Sequence, residues 1–400
     1  MTVGAVRFYA LQSMAITEVT YPVQLGFLPK GAAIPDVDHP GLLRAGARGS
    51  TPYGSKDVEF HVCPATDGAQ SERPDVGLLT TSFDTVDLSR FTELQATLHT
   101  VREAGEITDA DMAVVRQVLD GAELSGANGL PIKVLHLAGE GMIMRRSGPN
   151  RMSVVGPRTK GANGHGAATS VHADQDVYGT PLAQIMNGRA PSLFRHDSPD
   201  AQNADSTLML LNLWIPLQQI TQPLVLADRR SLDRRRHQLR YGLATDSFLH
   251  RDDEQVINDI WTFLHDPSQR WYFRSEMDHR SAYVFDTLGT PHGAGVLPGE
   301  ELAERCSVAL QAAEAAVEAT DGASLIAALA SSAEWEAPVG LTPALGDAIA
   351  TMQALIAEAL AAPNAVSTAW IDESRTARCK VVRMSLEMRL VAAVGPERVA

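Results

Sequence analysis

Cysteine is nearly absent from this chain. There are three in 400 residues, Cys63, Cys306 and Cys379, far apart and without CxxC spacing. They make neither a disulfide framework nor a cysteine zinc site, and a reducing cytoplasm is the compartment such usage fits. Long apolar runs are missing too: no uninterrupted stretch approaches the ~20 residues needed to span a bilayer. The opening MTVGAVRFYALQSMAITEV lacks the basic start and long apolar core of a secretory signal. Basic charge is scarce: 34 Lys and Arg face 48 Asp and Glu, a net charge of −14. No extended face neutralises phosphates, which argues against a nucleic-acid partner. There is no internal repeat and no long low-complexity linker. What remains is the composition of a soluble globular protein, long enough to bury roughly three quarters of its unfolded surface without disulfides.

The elements that are present favour strands. Residues 1–65 read as short strands broken by turns, with Pro22, Pro29, Pro35, Pro40 and Pro52 as punctuation. Residues 88–121 read as helical, with a Thr108-x-x-Asp111 cap and a stop at Gly121. Strands follow at 132–138, 141–147, 207–217, 223–229, 270–274 and 281–286, with a helix expected over DDEQVINDIWTFLHD (252–266). Many short strands with one interposed helix point to an antiparallel β architecture, not alternating βαβ units. From 300 to about 362 the chain becomes Ala-rich and helical. It then returns to a strand over ARCKVVRMSLEMRLVAA (377–393), in which Arg383, Ser385, Glu387 and Arg389 alternate with apolar positions. A helical block followed by one alternating strand reads as an insertion, after which the chain rejoins the sheet.

The chemistry starts at SVHADQDVYG. His172 and Asp174 stand at i and i+2, so on a strand both leave the same face and can grip one metal ion. A distant histidine completes the 2-His-1-carboxylate arrangement of non-heme Fe(II) oxygenases. His292, in Gly289-Thr290-Pro291-His292-Gly293, lies just after a strand among small neighbours that admit a close approach. His250, His265 and His279 are the alternatives. Asp176 extends the alternation as a second candidate carboxylate, and a carboxylate at 174 favours oxygen chemistry over halogenation. Such an oxygenase needs two extra electrons, commonly supplied by decarboxylation of 2-oxoglutarate, whose distal carboxylate calls for arginine. Arg383 and Ser385 lie two apart on the last strand and can share one carboxylate; Arg389 and Arg378 are the fallbacks.

The pieces VHADQD, LNLWIPL, QPLVLAD, QRWYF, FDTLGTPHGA and VRMSLEMR occur in one order. In that order the chain resembles the Fe(II)/2-oxoglutarate-dependent hydroxylase/desaturase group, which includes cephamycin methoxylation components, gibberellin-desaturase-like and AsaB-like proteins. The resemblance covers roughly 140–300 and 375–392. It implies a mainly β fold with α decorations (α+β), its core a double-stranded β-helix (jelly-roll, cupin-like), with His172, Asp174 and His292 on iron and Arg383 with Ser385 on 2-oxoglutarate. It places Asn212 and Trp214 on a strand lining the co-substrate pocket. The chain departs from the group at Ile215, where a basic residue is usual, and in the Ala-rich block before its final strand.

The expected organisation is an N-terminal α/β extension (1–130), a jelly-roll core (131–299 and 376–394) and a helical insertion (300–375). The insertion reads as a lid, a homo-oligomer interface or a solvated decoration. The expected function is a cytoplasmic oxygenase using Fe(II), 2-oxoglutarate and O2 on an aliphatic C–H of a small molecule in specialised metabolism, with no nucleic-acid or membrane partner. Two other readings use the same ligands: a non-catalytic jelly-roll binding protein, and a zinc hydrolase. The basic run ADRRSLDRRRH (227–237) reads as a surface loop or as a clamp for an anionic substrate. GANGHGAATS (161–170) precedes a strand and opens no helix, so it reads as a loop at the metal site's mouth and not as a phosphate loop.

Overall fold

The computed structural model describes residues 18–46, 58–70, 75–138, 142–156, 159, 161–245, 256–330 and 335–395. His250 lies outside them. Among the described residues two sheets form. One has ten strands in the spatial order β1 (Thr20–Phe27), β4 (Glu59–Asp67), β14 (Trp271–Phe273), β11 (Leu224–Ala227), β16 (His292–Ala294), β9 (His172–Ala173), β13 (Val256–Phe263), β12 (Gln238–Thr245), β3 (Leu43–Ala45) and β2 (Ala33–Pro35). The other runs β5 (Phe83–Asp87), β15 (Ser281–Asp286), β10 (Leu208–Pro216), β17 (Arg383–Val394), β7 (Pro131–Leu137) and β6 (Glu123–Ser125), with β8 (Ile143–Ser147) also pairing β17. The curled sheets face each other, which makes the core a jelly roll.

Side-chain alternation explains the layers. Between the sheets lie Trp214, Tyr283 and Phe285 from one and Leu224, Leu226 and Tyr272 from the other. The opposite face of β10 and β17, with Leu211, Leu213, Leu386 and Met388, packs on α1 (Thr92–Ala104) and α2 (Asp109–Leu119). As the sequence indicates, a capping box starts α2: the Thr108 side chain accepts from Asp111 N and the Asp111 carboxylate accepts from Thr108 N. The outer face of the ten-stranded sheet, with Val171, Ala173, Val225 and Trp261, shares one apolar cluster with α6 (Glu300–Glu318), α7 (Gly322–Leu329), α8 (Pro343–Ala361) and α9 (Thr368–Lys380). Of the described helices only α8 is long and apolar enough to cross a membrane, and Leu345, Ile349, Met352 and Ile356 on it are buried in that cluster. Three short helices, α3 (Thr180–Ile185), α4 (Ala190–Leu193) and α5 (Arg234–His237), fill connections.

Two expectations need correction. Residues 256–263 of the segment read as a helix form β13, paired to β12 from Thr245↔Val256 to Gln238↔Phe263. Its apolar spacing fits both periods, and β-branched and aromatic residues with a partner strand decide for the sheet. The strand expected over 377–393 begins at Arg383, because residues 377–380 complete the last turn of α9. The return of that strand into the sheet is as read: β17 lies between β10 and β7.

Beside the site, the buried Arg240 holds three carboxylates. Its Nε bonds Asp176 at 2.5 Å, Nη1 bonds Asp36 at 3.1 Å and Nη2 bonds Asp200 at 2.9 Å. This ties β12 to the loop that follows β9. Removing one member of such a cluster leaves uncompensated buried charge. Arg240→Ala is therefore expected to lower unfolding free energy by about 3–5 kcal/mol, read by chemical denaturation; a loss near that of an exposed arginine would contradict this role.

Candidate metal centre

The register of three short strands assembles the site. His172 on β9 lies directly opposite His292 on β16, and Thr262 of β13 flanks it on the other side. Gly26 of β1 sets the approach: Val171 N donates to Gly26 O at 2.8 Å, and a Cβ on Gly26 would collide with the Thr169 carbonyl. The Gly-rich segment therefore enters β9 with His172 and Asp174 turned between the sheets and Val171 and Ala173 turned toward the helices. On the other side, β15 ends in a turn pinned by Asp286, whose carboxylate accepts from Leu288 N at 3.0 Å and whose carbonyl accepts from Thr290 N at 3.0 Å. That turn delivers His292.

His172, Asp174 and His292 each offer a ligand atom, all within 4.8 Å of one another. Asp174 Oδ1 is 3.4 Å from His172 Nε2, and Oδ2 is 3.8 Å from His292 Nε2. Both imidazoles are oriented from behind by a main-chain carbonyl two residues upstream. Ser170 O lies 2.8 Å from Nδ1 of His172, and Thr290 O lies 3.0 Å from Nδ1 of His292. A carbonyl can only accept, so Nδ1 carries a proton and Nε2, which faces the carboxylate, is the nitrogen left to a metal. Burial pushes His292 down to about 4, and the neighbouring His172 adds to this. Burial acts on His172 the same way, but the Asp174 carboxylate outweighs it and holds that imidazole above the ordinary value. The cluster accommodates one positive charge between two nitrogens and a carboxylate. A divalent cation answers the same demand.

The other candidates fall elsewhere. Asp176 is bound to Arg240, His279 sits in a turn, and His265 stacks on His61 with ring centroids 4.0 Å apart. Arg378 bonds Glu314 at 2.7 Å, within the helical block. Arg389 lies 3.8 Å from Asp174 Oδ1 and so neighbours a candidate metal ligand. The arginines of 227–237 are engaged locally: Arg229 bonds the Leu79 and Thr80 carbonyls, Arg230 bonds Asp228 and Asp75, and Arg234 bonds Asp197. The surface-loop reading of that run fits these contacts.

Arg383 and Ser385 are buried side by side on β17. Arg383 Nε and Nη1 and Ser385 Oγ have no hydrogen-bond partner among the described residues. Burial, with Arg145 nearby, lowers the guanidinium to about 10. An unpaired guanidinium in a protein interior is costly, and this one lines the same pocket as His172, His292 and Trp214. A carboxylate would satisfy it in a bidentate fashion. Trp214 stacks on Tyr283, centroids 5.7 Å apart, and forms a wall. Asn212 is not turned to Arg383: its amide bonds Asp174 and Glu387.

Sequence reading singled out neither Arg145 nor Glu387 as functional. Glu387 continues the 383/385/387/389 alternation, which was the available signal. Arg145 faces it from β8 at 2.7 Å, a cross-strand pairing no local pattern discloses. Burial raises the Glu387 carboxyl, but Arg145 outweighs this and keeps it below the usual glutamate value.

These features define a jelly-roll protein with a His-x-Asp…His centre between its sheets. Residues 142–298 match a family profile described as "YDMC: Oxidoreductase/YMDC permease-like domain". Among solved structures, the iron and alpha-ketoglutarate-dependent endoperoxidase NvfI is similar at TM-score 0.44 and 12% identity, over 95% of this chain and 99% of that one. A single-site variant of it gives TM-score 0.44 and 12% identity over 96% and 100%. No curated protein sequence matches the chain.

Asp286 yields a pH test. Burial, with the Asp197 carboxylate adding to it, pushes Asp286 up to about 7 from 3.8. Its neutral form is favoured by the fold, so the stability it contributes is present below pH ~4 and is lost as pH rises through about 7. Asp286→Asn keeps the acceptor for Leu288 N without the charge. It is expected to be near-neutral at pH 4 and to stabilise by roughly 1–3 kcal/mol at pH 8, read by denaturation at both pH values; equal effects at both would contradict the assignment.

Proposed function

We propose that this chain is a non-heme Fe(II)/2-oxoglutarate-dependent oxygenase acting on an aliphatic C–H of a small molecule in specialised metabolism. One observation carries the reading beyond a metal site: the buried Arg383, whose Nε and Nη1 have no hydrogen-bond partner among the described residues, lines the pocket of His172 and His292, with the unpartnered Ser385 hydroxyl two residues along the same strand. His172 and His292 would hold Fe(II) through Nε2 and Asp174 through a carboxylate oxygen, leaving three octahedral positions. Arg383, with Ser385 beside it, would take the distal carboxylate of 2-oxoglutarate and so orient its keto-acid end toward the metal. When bound, Fe(II) with 2-oxoglutarate and O2 supplies an oxidant able to break an aliphatic C–H bond, with succinate and CO2 as by-products. Trp214 and the surrounding apolar residues keep water from that oxidant. Whether the outcome is hydroxylation, desaturation or ring formation depends on how the substrate is placed.

A zinc hydrolase would use the same three ligands but leave Arg383 without a partner, and a non-catalytic binding protein needs no charged anchor beside a metal. Anaerobic titration with Fe(II) and 2-oxoglutarate separates the three readings. A weak visible charge-transfer band is expected, with succinate formed on adding air; absence of both rules the oxygenase out. Arg383→Ala is expected to weaken 2-oxoglutarate binding by ~100-fold or more, the loss of a buried charge-assisted pair, with Fe(II) affinity within a few-fold of wild type. Equal loss of both would place the anchor elsewhere.

A further inference from the structure

Asn212 is fully buried, and every hydrogen-bonding group on its side chain is used. Nδ2 donates one hydrogen to Asp174 Oδ2 and the other, at 3.3 Å, to Glu387 Oε1. Oδ1 accepts from the Thr287 hydroxyl at 2.6 Å. The amide therefore has one orientation: a flip would set its oxygen against two carboxylates and its nitrogen against the hydroxyl. Each neighbour is itself fixed. Thr287 N donates to Leu210 O at 3.0 Å, Arg145 Nε bonds Glu387 Oε2 at 2.7 Å, and Arg145 Nη1 donates to Gly166 O at 3.1 Å.

We propose that Asn212 is a positioning residue for metal ligation, with Thr287 and the Arg145–Glu387 pair locking its amide. By occupying Asp174 Oδ2, which also lies 3.8 Å from His292 Nε2, it leaves Oδ1, 3.4 Å from His172 Nε2 and 3.8 Å from Arg389 Nη2, as the oxygen presented to a metal. A carboxylate free to rotate can engage a cation through both oxygens and consume an extra coordination position. One whose second oxygen is held by an amide stays monodentate, and three positions remain for co-substrate and O2. An amide at Oδ2 adds no second cation beside Asp174, which already has Arg389 3.8 Å from Oδ1. A hydroxyl could not donate to both carboxylates at once. Glu387 thus serves as the far anchor of the amide, and Arg145 extends that anchor to the loop that leads into His172.

This inference rests on the metal-centre reading above, and the test separates the two. The full-length protein is titrated anaerobically with Co(II), whose visible spectrum reports coordination number, and then with Fe(II) and 2-oxoglutarate. Asn212→Ala is expected to bind Co(II) about 10–100-fold more weakly, with an altered Co(II) band and a shifted charge-transfer band. Thr287→Val, which keeps shape and removes only the hydroxyl, is expected to change both spectra in the same direction with a smaller loss, about 3–10-fold. If Asn212→Ala does not fold, Thr287→Val decides by the same criterion. Wild-type affinity and unchanged spectra in the folded variants overturn the positioning role and leave the metal centre standing. A wild-type protein that binds neither Co(II) nor Fe(II) overturns both.

Discussion

The site depends on one backbone constraint: the register that sets His172 opposite His292. β9 is only two residues long, and it is held on one side by Trp261 and Thr262 of β13 and on the other by His292 itself. A slip of one residue would turn every side chain of that strand to the other face. His172 and Asp174 would move into the apolar layer under the helices, and Val171 and Ala173 would replace them in the pocket. Burial on both faces penalises that slip. The helices packed on the outer face thus contribute to the metal centre without touching it, by making Val171 and Ala173 the residues that belong there.

Around that register the fold solves a charge problem. Asp174 and Glu387 lie in one interior, each deprived of water. Asn212 spans them with its two hydrogens, and Arg145 neutralises Glu387. Asp176, three positions past β9, has its own buried partner in Arg240. The two acids two residues apart therefore have separate roles: Asp174 is presented to the histidines, and Asp176 fastens the loop.

Local patterns in the sequence were informative where the chemistry is local. The His-x-Asp spacing, the Arg-x-Ser spacing on an alternating strand and the Thr108–Asp111 capping box each follow from a period of 2 or a single helical turn, and each has its expected geometry. The distal histidine could be read because Pro291 and the small residues around it mark a turn after a strand. What could not be read is cross-strand. Arg145, Asn212, Thr287 and Glu387 come from four separate segments, so no window of sequence contains their relationship. For Asn212 the strand is legible but its partners, Asp174, Glu387 and Thr287, are not, since its face is fixed by alternation and its partners by pairing. The strand Val256–Phe263 was missed because its apolar spacing satisfies both periods, and only β12 breaks the tie.

The beginning of the helical block bears on the same pocket. Glu300, the first residue of α6, is buried near Arg383 and would be its natural counter-ion. Its carboxyl instead accepts from Leu297 N at 2.7 Å and Asn150 N at 2.9 Å, and burial pushes it up to about 8. Those two backbone amides, and not Arg383, are the hydrogen-bond partners of its carboxyl. A neighbouring guanidinium, Arg145, is held by Glu387 and repels Arg383. Glu300 and Glu387 thus act on Arg383 only at a distance, and its Nε and Nη1 have no hydrogen-bond partner among the described residues where it lines the pocket. A structural arginine would have been paired by a neighbour or replaced by an apolar residue at little cost. A carboxylate entering the pocket would give the guanidinium the hydrogen-bond partner it lacks.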